Sequence, residues 1–112
     1  MVRFKSSVRF INLTPVLAYI LSAVLEADKY FPEDMVITSV NDSKHSEGSA
    51  HYRDEAIDLR CNDRPYEVDM ALCRFLELKL GPKFLVLYES KGTPNEHIHV
   101  QLRKGQKWSP SQ

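Results

Sequence analysis

The sequence has no surplus of charge: fifteen Lys and Arg balance fifteen Asp and Glu over 112 residues. A chain that tracks a phosphate backbone concentrates positive charge, so no nucleic-acid partner is expected. Cysteine is scarce too. Cys61 and Cys73 are too few for a disulfide framework and too far apart in sequence for a zinc knuckle or a Cys-x-x-Cys redox pair, which leaves free thiols in a reducing compartment as the expectation. No apolar run approaches the ~20 residues of a membrane span. Arg3, Lys5 and Arg9 ahead of the apolar stretch 16–25 have the loose layout of an export signal. However, Thr14-Pro15 is a helix-start pair, and Leu17, Ile20, Leu21, Val24 and Leu25 recur at the three- and four-residue spacing of one helix face. Neither a membrane span nor an export signal is therefore expected. Also missing are an internal repeat, a Gly-x-Ser-x-Gly elbow, a phosphate-binding glycine loop and a His-Glu-x-x-His helix.

What is present is enough apolar material, 43% of residues, for one core and too little chain for two ordinary domains. The folded domain is expected over 1–104, followed by a frayed tail over 105–112 rich in Gly, Ser and Pro. A first helix is predicted over 15–30, stopping before Pro32, and a strand over 35–40 where β-branched residues cluster. A polar loop over 41–54 leads to a short strand over 56–61, in which Ala56, Asp58 and Arg60 share one face. A second helix is predicted from the cap candidates Asn62 and Asp63, Pro65 in the first turn, the apolar set Val68, Leu72, Phe75 and Leu76, and the stop Gly81-Pro82. Phe84 to Tyr88 is a nearly continuous apolar run of strand length. In the last strand, 97–103, Ile98, Val100 and Leu102 alternate with His97, His99 and Gln101, so the two sets face opposite ways. This order predicts an α+β domain with two main helices packed on a small, largely antiparallel sheet.

All four histidines, His45, His51, His97 and His99, fall in two short polar neighbourhoods and none on the apolar face of a helix. Imidazoles gathered in this way, with a strand carboxylate between them in the chain, suit a zinc site of three protein ligands that leaves a fourth position to water. Glu96, just ahead of the strand that carries His99, is a carboxylate that can act as general base. His97 shares a face with His99 and is a candidate donor to an oxyanion or a supporting partner of the ligands.

The stretch Ser49-Ala50-His51-Tyr52-Arg53-Asp54-Glu55-Ala56-Ile57-Asp58 resembles the Ser-x-His-x-x-Gly-x-Ala-x-Asp motif of the D-Ala-D-Ala carboxypeptidase and L,D-endopeptidase family, whose zinc fold hedgehog signalling domains share. Glu96-His97-Ile98-His99 is similar to that family's second motif, Glu-x-x-His, and the two occur in the family's order, spanning about 35–102. The resemblance implies one zinc ion held by His51, Asp58 and His99, with Glu96 as base. A second register, starting at Ser43-Lys44-His45, matches the first eight positions but puts Tyr52 where the carboxylate belongs. Two departures stand out. Asp54 replaces the family's Gly, and the Arg that many relatives use to steady the substrate carbonyl is missing near 40–44, leaving Lys44, His45 or Arg53 for that task. A His-x-x-Gly-Ser-x-His-Tyr prelude like that of phage-type members places His45 and Tyr52 at the rim of the cleft.

The resemblance further implies a peptidase acting on D-amino-acid-containing stem peptides or cross-links of bacterial peptidoglycan. Such an enzyme is endolysin-like or a carboxypeptidase, monomeric, and cytoplasmic until released to the cell wall. The rival readings are a zinc-containing binding module or phage structural component that kept the fold and lost activity, and a cytosolic dipeptidase acting on D-Ala-D-Ala. The intact Glu96 favours a peptidase, because a pure binding domain has no physical need of a base.

Overall fold

A computed structural model describes residues 1–8, 12–40, 55–61 and 64–110. The described elements are β1 (Val2–Phe4), α1 (Pro15–Ala27), β2 (Met35–Ser39), β3 (Ala56–Arg60), α2 (Tyr66–Leu80), β4 (Phe84–Glu89) and β5 (His97–Leu102). The five strands form one sheet in the order β1-β2-β3-β5-β4. Only the β1–β2 pairing is parallel; the other three are antiparallel. The domain is a small α+β fold with two helices and a mostly antiparallel sheet, and no helix among the described residues is long and apolar enough to cross a membrane.

Helix α1 starts where the sequence places it. The Thr14 side chain accepts a hydrogen bond from the Leu17 backbone N–H at 3.2 Å, and Pro15 occupies a first-turn position that needs no donor. The helix ends at Ala27, three residues short of the expected Tyr30. A turn in which Lys29 and Tyr30 donate to the carbonyls of Glu26 and Ala27 carries the chain on to Pro32. The buried face is Val16, Leu17, Ile20, Ala23, Val24 and Ala27; Leu25, expected on it, is 57% exposed. Small Ala23 and Ala27 occupy the contact surface instead, which rotates the buried stripe away from Leu25.

Helix α2 has Pro65 in the N-cap position, so the proline precedes the first turn rather than lying within it, and no side chain caps the helix. Glu67 and Asp69 place negative charge at the positive end of the helix dipole instead. Asn62 and Asp63 lie outside the described residues. The helix closes at Gly81, whose φ of +92° suits glycine better than any L side chain.

The core lies between the helices and one face of the sheet, where Ile37, Ile57, Leu59, Ile98 and Val100 are each fully buried against α1 and α2 residues such as Leu17, Ile20, Leu72 and Leu76. Cys61 and Cys73 form no disulfide and are buried in this core, and burial pushes the Cys73 thiol up to about 12, so that thiol is protonated at neutral pH. Strand β1, which local patterning does not announce, pairs Val2–Phe4 with Met35–Ile37. The segment expected to fray is described as far as residue 110 and makes contacts with the domain. Trp108 stacks on Tyr19 with ring centroids 4.3 Å apart and meets Phe84 edge-on, while Lys83 Nζ donates to the Lys107 carbonyl at 2.9 Å. A single aromatic residue finding a partner on α1 outweighs the polar composition around it.

Candidate metal centre

Strand alternation sends a second set of side chains to the face that the helices leave uncovered. Three cross-strand rows lie there, about 7 Å apart because two residues of strand separate them. The middle row is Leu87–His99–Asp58; on one side of it stands Glu89–His97–Arg60, and on the other Leu85–Gln101–Ala56. The β2–β3 register slips between Ile37 and Ser39, which brings Ser39 opposite Asp58 at the end of the middle row.

Asp58 and His99, forty-one residues apart in the chain, are direct partners across β3 and β5. His99 Nδ1 lies 2.8 Å from Asp58 Oδ1, with only 11% and 15% of the two side chains exposed. The other ring nitrogen fixes the chemistry of this contact. Gln101 Nε2 donates to the Leu102 carbonyl at 3.0 Å, which turns Gln101 Oε1 toward His99, and His99 Nε2–H donates to it at 2.8 Å. A neutral His99 therefore presents its Nδ1 lone pair to a carboxylate oxygen. Two acceptors at that distance share a proton, and it is this proton that a metal ion bound by both atoms would displace. Burial by itself would push the imidazole down, but the hydrogen bonds to Asp58 and Gln101, with the negative charges of Asp58 and Glu89, hold His99 above the ordinary histidine value. One carboxylate oxygen and one imidazole nitrogen, converging from rigid strands with the tautomer set from behind, fit two ligands of a zinc site.

The remaining predicted residues separate into three groups. His51, the third implied ligand, lies outside the described residues, as do Lys44, His45, Tyr52, Arg53, the Asp54 departure and the competing register. His97 lies on the open face beside His99. Its Nδ1–H donates to the Asn95 carbonyl at 2.7 Å and its Nε2 faces Glu89 Oε1 at 3.1 Å. Glu96 is not brought to Asp58 and His99. It precedes β5 in the alternation of Ile98, which is fully buried on the helix side, and its Oε1 accepts from the Gly92 N–H at 3.2 Å. Ligand atoms of Glu96, Cys61 and Asp69 all lie within 4.8 Å of one another, and this is the group among the described residues that has the spacing to hold a metal with three side chains. Within it Asp69, fully buried, is engaged by Arg64 Nε at 2.6 Å.

Beside the Glu89–His97–Arg60 row opens a cleft of about 190 Å³ lined by Lys5, Thr38, Arg60, Glu96 and His97, among others. Sequence reading missed Glu89 as a member of this neighbourhood. Its signal was present: Leu85, Leu87 and Glu89 alternate on one face of β4, but the apolar run around them hid the period. Comparison with known protein families and with curated proteins finds no match to this chain.

Proposed function

We propose that this chain is a zinc-dependent peptidase of the hedgehog and DD-peptidase fold, acting on D-amino-acid-containing peptide bonds of bacterial peptidoglycan. One observation carries the reading: the facing Nδ1 of His99 and Oδ1 of Asp58, 2.8 Å apart, with the opposite ring nitrogen committed to Gln101. The motif order, His51 and Asp58 followed by His99, supports the same ligand set. Zinc bound there supplies a Lewis acid for the scissile carbonyl and lowers the pKa of the attacking water. Asp58 and His99 hold two of its ligand positions, His51 the third, and Gln101 keeps the His99 imidazole in the tautomer that ligation requires. Arg60, two residues from Asp58 on the same face, offers the guanidinium that the family's usual position lacks. The protein acts as a monomer on stem peptides or cross-links and stays in the cytoplasm until it is released to the wall.

Two measurements test this. Metal analysis of the purified protein should return one zinc per chain, and Asp58→Asn should return none while remaining folded. Incubation with purified peptidoglycan, and separately with free D-Ala-D-Ala, should release peptide products from the first, identified by mass. Stoichiometric zinc with no product from either substrate would leave a zinc-containing binding module, and absence of zinc from the wild type would sink the reading altogether.

A further inference from the structure

The cleft beside the Glu89–His97–Arg60 row collects residues that the metal centre itself does not need. Lys5 comes to it from the end of β1, Thr38 from the bulged part of β2, Arg60 from β3, and Glu96 and His97 from the entry to β5. The Lys5 backbone N–H donates to the Ile37 carbonyl at 2.8 Å, which extends the β1–β2 ladder and brings Lys5 alongside Thr38. Neither Lys5 nor Thr38 belongs to the two sequence motifs. Lys5 and Arg60 are exposed, so both charges are open to a ligand arriving from solvent, and among the described residues Glu96 is the one carboxylate that lines the cleft. Two cations and a hydroxyl against one carboxylate leave the cleft positive, a set that suits a carboxylate ligand. Size narrows the choice. About 190 Å³ holds about six waters at ~30 Å³ each, below the ~300–1,000 Å³ of a cleft that encloses a drug-sized molecule. One small amino-acid residue fits there, and a second peptide strand does not. Position narrows it further. Arg60 and His97 each stand two residues from Asp58 and His99, so the cleft begins one row, about 7 Å, from the centre. Glu96, the base that the second motif implies, lies along it. A base that takes a proton from water gives it to the leaving amine, so the residue that departs lies on the side of the base.

From this arrangement we infer that the cleft takes the departing residue of the substrate and holds its free C-terminal carboxylate between Lys5 and Arg60. The chain is then a carboxypeptidase that removes a terminal D-amino acid, and not an endopeptidase that opens cross-links. The inference rests on the peptidase reading above. One water is consumed as the C–N bond of the last residue breaks. The water oxygen goes to the carbonyl carbon and one of its protons to the departing nitrogen, and a free D-amino acid leaves with no change of oxidation state. Lys5 does not touch the reacting atoms; its part is to select substrates that end in a carboxylate. The Arg60 guanidinium has five donors, enough for this carboxylate and the neighbouring scissile carbonyl together. The Thr38 hydroxyl adds a donor without charge.

The test uses the full chain loaded with zinc and two peptides that differ only at their end, acetyl-L-lysyl-D-alanyl-D-alanine and its C-terminal amide. The acid should be cleaved with a kcat/KM at least about tenfold above that of the amide, because a site built for a polar group rejects the analogue that lacks it. Lys5→Glu should erase most of that preference, chiefly through KM and with zinc retained, and Lys5→Met, which removes the charge at similar length, should fall between the two. A cross-linked muropeptide dimer should be opened far more slowly than the acid peptide is cleaved. If acid and amide are cleaved alike, if Lys5→Glu keeps the preference, or if the dimer is opened as fast as the acid peptide, the inference falls and the peptidase reading stands. If the zinc-loaded wild type cleaves none of the three, the peptidase reading falls, and carboxylate recognition is read by binding instead. D-Alanine titrated into isotope-labelled protein should then shift the backbone amide resonances of Thr38, Asn95 and His97, D-alaninamide should not, and Lys5→Glu should abolish the shifts. Equal shifts from the two ligands, or none from either, overturn the inference there too.

Discussion

On the face that α1 and α2 cover, the sheet presents Ile37, Ile57, Leu59, Ile98 and Val100; on the other, the same strands present Asp58, Arg60, His97, His99 and Gln101. Among the described residues each face also holds a short contact between an aspartate and a basic side chain, and the two contacts are chemically different. Under the helices Asp69 meets Arg64 at 2.6 Å, with side-chain exposures of 0% and 3%. A guanidinium cannot give up its proton in a protein and has no lone pair for a metal, so that pair is permanent and serves the fold. On the open face Asp58 meets His99 at 2.8 Å, and an imidazole can exchange its proton for a metal ion. The difference teaches that the choice of cation, more than the distance, separates a structural pair from a centre able to do chemistry.

Three measurements break or sharpen this contrast. The largest effect is expected from Arg64→Ala. It strands a fully buried Asp69 and removes donors to the carbonyls of Asp34 and Arg60, so it should cost about 3–5 kcal/mol in urea denaturation. A cost below about 1 kcal/mol would show that Asp69 finds other support. Next comes a matched pair of leucines. Leu59→Ala on the helix side should destabilise by about 2–5 kcal/mol, whereas Leu87→Ala, beside His99 on the open face, should cost less than about 1 kcal/mol. Equal losses would mean that the open face is packed as tightly as the core.

The smallest effect concerns pH in the metal-free protein. The folded state holds His99 above its ordinary value of 6.5, so the contact with Asp58 contributes its full stability below pH 6.5 and loses it as pH rises through the folded-state value. The denaturation midpoint of the metal-free chain should therefore fall across that window, and Asp58→Asn should flatten the dependence. Zinc affinity should run the opposite way, rising with pH as the competing proton leaves Nδ1, with protons released on binding. An affinity independent of pH between 6 and 8 would argue against ligation by His99.

Much of the fold was legible because its signals are local. Thr14-Pro15 and Gly81 mark helix ends through the conformations those residues allow, and the alternation of Ile98, Val100 and Leu102 with His97, His99 and Gln101 divides β5 between two environments. The elements that escaped depend on partners remote in sequence. Strand β1 has three residues and no period, and exists because Val2 finds Met35. Trp108 reads as part of a polar tail until Tyr19 offers it a stacking surface. Leu25 has the spacing of a core residue but loses its place to Ala23 and Ala27.

The candidate centre divides in the same way. Residue type and motif spacing are properties of the chain, so Asp58 and His99 could be named as partners from the amino acids alone. That Glu89 joins the neighbouring row could not. Glu96 is three positions from His99 and Glu89 is ten, yet a strand turns each successive side chain to the opposite side, and the β4–β5 pairing returns Glu89 to the row beside His99. Sequence alone determined the start of α1, the stop of α2 and the alternation of β5, because these follow from single residues and near neighbours. Tertiary structure alone decided strand order, register and the row that Glu89 joins, because those depend on hydrogen bonds between segments that the chain keeps apart.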